Sequence, residues 1–134
     1  MKIHKILPRI GVGDVPFASN IAFLKALGYE EDIAGFDQIV KWHVYTKNDG
    51  LDCYVKDGMV VCLACFAQCY LSDRNLIGKT PEELALVLGI PDEIGDSVWV
   101  SEETQQTPYE YFSHGLQVWI QSGRVVSVFC NATY

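Results

Sequence analysis

Gly50-Leu-Asp-Cys-Tyr-Val-Lys-Asp-Gly-Met-Val-Val-Cys-Leu-Ala-Cys65 returns 65 positions later as Gly115-Leu-Gln-Val-Trp-Ile-Gln-Ser-Gly-Arg-Val-Val-Ser-Val-Phe-Cys130. Phe23-Leu-Lys-Ala-Leu-Gly28 returns 61 positions later as Leu84-Ala-Leu-Val-Leu-Gly89. The two offsets differ by four residues, which one small insertion reconciles. Self-similarity at a fixed spacing constrains architecture before any motif does. It predicts one domain over residues 1–134, made of two pseudo-repeats at about 12–69 and 75–131.

Each repeat opens with a helix pattern. Thr80-Pro81-Glu82-Glu83 reads as a capping box with proline at the first helical position, and Gly89 then Pro91 close the segment. In the first half Ser19 is expected at the cap, Ile21, Phe23, Leu24 and Leu27 form the stripe, and Gly28 ends it. Three strands follow in each half, near 38–46, 51–56 and 59–67, then near 107–113, 116–121 and 124–130. Asp57-Gly58 and Ser122-Gly123 supply the hairpin turns. The fold class expected from this order is α+β: two tandem helix–three-strand repeats forming an antiparallel sheet, with helices on one face.

Strand alternation separates the faces. Leu51, Cys53 and Val55 match Leu116, Val118 and Ile120 as core; Val61, Leu63 and Cys65 match Val126, Val128 and Cys130. The opposite face carries Asp52, Tyr54 and Lys56 against Gln117, Trp119 and Gln121, and Val60, Cys62 and Ala64 against Val125, Ser127 and Phe129.

Ten Lys and Arg against seventeen Asp and Glu leave a net charge of −7. Scattered basic residues do not neutralise phosphates, so nucleic acid is not an expected partner, whereas a basic protein is. No apolar run reaches the length of a membrane helix, so no membrane partner is expected. Met1–Pro8 shows no signal-peptide core, and the expected compartment is the cytoplasm. Five cysteines, an odd number, are then expected as free thiols.

Chemistry-bearing residues are few. Cys62-x-x-Cys65-x-x-x-Cys69 has the look of a metal or redox motif. On a regular strand Cys62 and Cys65 face opposite sides, and Cys65 and Cys69 stand about 13 Å apart, so no metal or other cofactor is expected. Cys62 with His43 is the pair a small thiol enzyme would need, but neither a nucleophile elbow nor an orienting acid accompanies it, and no catalytic residue is expected. Gly11-Val-Gly13 lacks the third glycine of a phosphate loop and reads as a turn. Asn131-Ala-Thr133 spells a glycosylation sequon without a secretion signal.

Gly78-Lys-Thr-Pro-Glu-Glu-Leu-Ala-Leu-Val-Leu-Gly-Ile-Pro91 resembles the capped-helix motif of β-lactamase-inhibitor-like and outer-membrane-assembly-lipoprotein domains. Trp99, Tyr109-Glu-Tyr111, Gly115-Leu-Gln-Val-Trp-Ile120 and Ser122–Val128 resemble the sheet of that superfamily. The likeness covers about 75–130 well and 15–67 loosely. A tandem pair of such units implies a sheet that grips a partner protein. The lipidated cysteine and the paired disulfide cysteines that the family implies are not matched at the positions found here. Together with the acidic charge, the resemblance implies an inhibitor, a cytosolic immunity protein that neutralises a basic bacterial toxin domain, such as a nuclease. Its expected partner-binding residues are Tyr54, Trp119 and Phe129 as anchors, with Asp52, Asp92, Glu93, Glu102 and Glu103 as charge partners. A homo-oligomer burying the sheet face against itself, and the Cys62–His43 enzyme, are the competing expectations.

Overall fold

Tight turns decide the layout. Asp57 and Gly58 both take positive φ (53° and 80°), as do Ser122 and Gly123 (52° and 76°), which joins the strands on either side as two-residue hairpins. The computed structural model describes residues 3–132; the N-terminal Met1 and the third residue of the sequon, Thr133, lie outside them.

In the first half the elements are β1 (His4–Leu7), β2 (Gly11–Val12), β3 (Val15–Pro16), α1 (Ile21–Ala26), β4 (Glu30–Asp37), β5 (Trp42–Thr46), β6 (Leu51–Lys56) and β7 (Met59–Cys65). In the second they are β8 (Cys69–Leu71), β9 (Arg74–Asn75), α2 (Pro81–Leu88), β10 (Glu93–Ile94), β11 (Val98–Trp99), β12 (Gln105–Tyr111), β13 (Leu116–Gln121) and β14 (Arg124–Asn131). A short 3-10 turn, Phe112–His114, separates β12 from β13.

This is not the α+β arrangement expected from the repeat. Among the described residues strand accounts for 50% and helix for 13%, and the strands form two sheets. The large sheet runs β4-β5-β6-β7-β14-β13-β12-β10, with β11 also pairing β12. The small one runs β3-β2-β1-β8-β9. Segments that precede each helix build the small sheet, from strands two to four residues long, and include Gly11–Val12 of the expected turn. α1 and α2, six and eight residues long, are too short to cover a face alone. The helices and the small sheet cover it jointly. Leu24, Leu84 and Leu88 join Ile6, Val12, Val15 and Cys69 against Leu51, Cys53, Leu63, Leu116, Val118 and Val128 in one core.

The two halves nevertheless repeat their bonding. Ala18 N–H donates to Val60 O and Val60 N–H to Ser19 O (3.0 and 2.9 Å); Gly78 N–H donates to Val125 O and Val125 N–H to Lys79 O (2.8 and 2.9 Å). The register of β6 on β7 shifts between Tyr54 and Val55, and that of β13 on β14 between Trp119 and Ile120. A bulge adds one residue to a strand and reverses the alternation beyond it. Val60 and Val125, expected on the opposite face, are therefore buried in the core, and Val61 and Val126, expected there, are only half-buried.

Two local expectations also change. The α1 cap is Asn20, whose Oδ1 accepts from Phe23 N–H at 2.8 Å; Ser19 instead donates its hydroxyl to Pro16 O at 2.6 Å. Cys65 and Cys69 form a disulfide across a Cα–Cα distance of 6.0 Å, where free thiols were expected. β7 ends at Cys65 and the chain reverses through Gln68 (φ 50°), so the extended spacing assumed for these cysteines does not apply. Cys53, Cys62 and Cys130 are free and buried.

Candidate functional site: the outer face of the large sheet

Residues directly opposite on antiparallel strands share a face. One row of partners can be followed across the large sheet: Glu30, Thr46, Asp52, Ala64, Phe129, Gln117, Glu110, Glu93. It is acidic toward both edges and apolar at the seam where β7 meets β14. Ala64 and Phe129 are equivalent residues of the two repeats, and they pair with each other. The seam is thus a local pseudo-two-fold, on which one half supplies a methyl group and the other a ring.

Tyr54 and Trp119, equivalent in the repeat, flank that ring from opposite sides. Tyr54 stacks on Phe129 with centroids 5.9 Å apart, and Trp119 meets it edge-on at 6.5 Å. The cluster extends to Trp42, 5.6 Å from Tyr54, and to Phe66, 6.2 Å from Phe129. Neither Trp42 nor Phe66 lies in the repeat-matched segment Gly50–Cys65, so neither is among the anchors expected from the sequence. Counting by twos back from Thr46 and forward from Ala64 would have placed both on this face. Cys62 lies beneath the cluster at 1% exposure. Burial pushes its thiol up to about 12, and the Tyr54 hydroxyl likewise to about 12.

The polar members are held in turn. Glu110, buried, accepts from Gln117 Nε2 at 2.6 Å, and Gln117 Oε1 accepts from Trp119 Nε1–H at 2.9 Å. A carboxylate two side chains away thereby sets the indole plane. Burial raises the Asp52 carboxyl above its ordinary value; a hydrogen bond with Thr46 lowers it, and Asp32 and Asp49 add to the rise.

Of the eight residues expected to bind a partner, Asp52, Tyr54, Glu93, Trp119 and Phe129 occupy this face. Glu102 and Glu103 sit at the exposed tip of the hairpin joining β11 to β12. Asp92, exposed, accepts at Oδ2 from Phe112 N–H at 2.8 Å. Glu30, Glu31 and Asp32 form the start of edge strand β4.

An open cleft of about 300 Å³ adjoins the ring cluster. Val98 and Val100 from the β11–β12 hairpin form one wall, and Phe66, Trp119, Val126 and Phe129 the other. Gln106 and Ser127 are its polar lining.

The structure does not bring Cys62 and His43 together. His43 pairs with Val55, a core residue, and so faces away from Cys62, which pairs with Tyr54. The His43 ring instead bonds Glu31 Oε2 at 2.9 Å and packs on Phe36. Among the described residues no group of three or more His, Cys, Asp or Glu is placed to hold a metal ion, and no helix is long and apolar enough to cross a membrane. No protein-family model, curated protein or solved structure matches this chain.

Proposed function

We propose that the chain is a protein-binding inhibitor, an immunity protein that covers a basic toxin domain with the outer face of its large sheet. The observation that carries this reading is the Tyr54–Phe129–Trp119 cluster at the centre of a row whose ends are carboxylates. Buried aromatic anchors with a charged rim are the anatomy of a protein interface. The net charge of −7 favours encounter with a basic surface. The immunity assignment rests on the resemblance of residues 75–130 to inhibitor domains.

The test is calorimetry with the basic protein that co-purifies with this chain from its source cell. Trp119→Ala is expected to weaken binding by about 2 kcal/mol or more, roughly 30-fold. Unchanged affinity for both Trp119→Ala and Tyr54→Ala would remove the face from the interface. Self-association through the same face is the alternative. A monomer at high concentration in sedimentation disposes of it.

The cytoplasm is part of the same proposal, and it requires Cys65–Cys69 to form in a reducing compartment, where disulfides are rare. The intact mass of the protein drawn from its source under thiol-blocking conditions decides between the paired and free states.

A further inference from the structure

We infer that the cleft beside the β11–β12 hairpin receives one aromatic or large aliphatic side chain from a partner loop that carries Lys or Arg next to it. This rests on the partner-binding reading of the sheet face and names the chemistry of what that face recognises.

The hairpin is built as a wall. Val100 N–H donates to Thr104 O at 2.9 Å, and the Ser97 and Thr107 hydroxyls bond at 2.6 Å. Alternation along β11 sends Val98 and Val100 into the cleft and Trp99, 65% exposed, away from it. The facing wall exists because of the bulge on β14: the register shift that buries Val125 turns Val126 out of the core and into the cleft. The amide of Gln106 is already engaged, donating to Gln121 Oε1 at 2.9 Å.

Size and polarity select the occupant. A volume of about 300 Å³ lies at the lower limit of small-molecule sites, which also carry several convergent polar groups. Here the lining is apolar apart from Gln106 and Ser127, and the cleft is continuous with Trp119 and Phe129 of the ring cluster. One protein side chain fits that description. Charge selects its neighbours. Residues 92–123 hold six carboxylates and no Lys or Arg, and Glu102 and Glu103 lie just beyond Val100 at the hairpin tip.

The probes are short cyclic peptides with an Arg-Phe-Lys, Arg-Ala-Lys or Glu-Phe-Glu apex, titrated into the intact protein while the Trp119 indole resonance is followed. The Arg-Phe-Lys peptide is expected to move that resonance saturably and to bind about tenfold or more tightly than either of the others. Val100→Asp, at a position 51% exposed, is expected to keep the far-ultraviolet dichroism of the parent protein and to abolish the shift. Equal response to the Phe and Ala peptides, or an undiminished response in Val100→Asp, overturns the inference. With the whole partner, loss of binding in Tyr54→Ala but not in Val100→Asp overturns the cleft and spares the face. Loss in neither overturns both.

Discussion

Truncating Phe129 to alanine removes the ring at the seam, and its cost follows from that ring's neighbours. A fully buried Phe→Ala change costs about 3–5 kcal/mol, and Phe129 is half-buried, which leaves roughly 2 kcal/mol for transfer and cavity. Three ring contacts, with Tyr54, Phe66 and Trp119, are lost as well. Such pairs contribute about 0.5–1.5 kcal/mol each, but rings that share a partner do not add fully. The expected loss is about 3 kcal/mol. Phe129→Leu keeps most of the apolar volume and isolates the ring terms, at about 1 kcal/mol. Urea unfolding followed by tryptophan fluorescence measures both, provided the slope with denaturant is unchanged. A loss below about 1 kcal/mol in Phe129→Ala would mean that the rings do not pack on one another, and the argument for a preformed anchor cluster would fail with it.

Other predictions are local. The Asp52 pKa is raised in the folded state, chiefly by burial, so ionising it costs the fold: its contribution to stability falls as pH rises above the ordinary value of 3.8. Asp52→Asn should therefore raise the urea midpoint at pH 7 and leave it unchanged near pH 3. Gly115→Ala should cost about 2–4 kcal/mol, because φ is +65° and a Cβ would stand 2.6 Å from Asn131 O; a cost within about 0.5 kcal/mol would refute the clash. Glu110→Ala should free Gln117 and loosen Trp119, read as lost near-ultraviolet dichroism with the far-ultraviolet spectrum retained. Thr80→Ala should lower stability by about 1 kcal/mol through loss of the α2 capping box, measured by thermal unfolding.

What the sequence disclosed depended on the length and chemistry of each signal. The Asp57-Gly58 and Ser122-Gly123 turns and the strands they join were legible because few residues tolerate positive φ in succession. Tyr54, Trp119 and Phe129 were legible as one face because alternation holds up to the bulge. It fails beyond, since an inserted residue leaves no composition mark, and Val61 and Val126 were misassigned for that reason. The small sheet escaped notice because two-residue strands such as Gly11–Val12 are too short to show a period. The disulfide escaped because Gln68 gives no sign of the reversal it makes. Ser19 and Asn20 are adjacent and both suited to capping, so only the backbone decides between them.

The β7–β14 seam also governs how two molecules can exchange parts. Each three-strand meander closes on itself through short turns, whereas the seam joins Cys62–Cys65 to Val128–Asn131, far apart in the chain. A half that folds first offers its β7 edge to any β14, and the β14 of a second molecule satisfies the same register. A domain-swapped dimer would keep every seam bond and differ only in the linker between the halves. Cys65–Cys69 closes the start of that linker into a tight loop, which shortens its reach. Reducing the disulfide should accordingly favour swapping, with the aromatic face preserved in each composite unit.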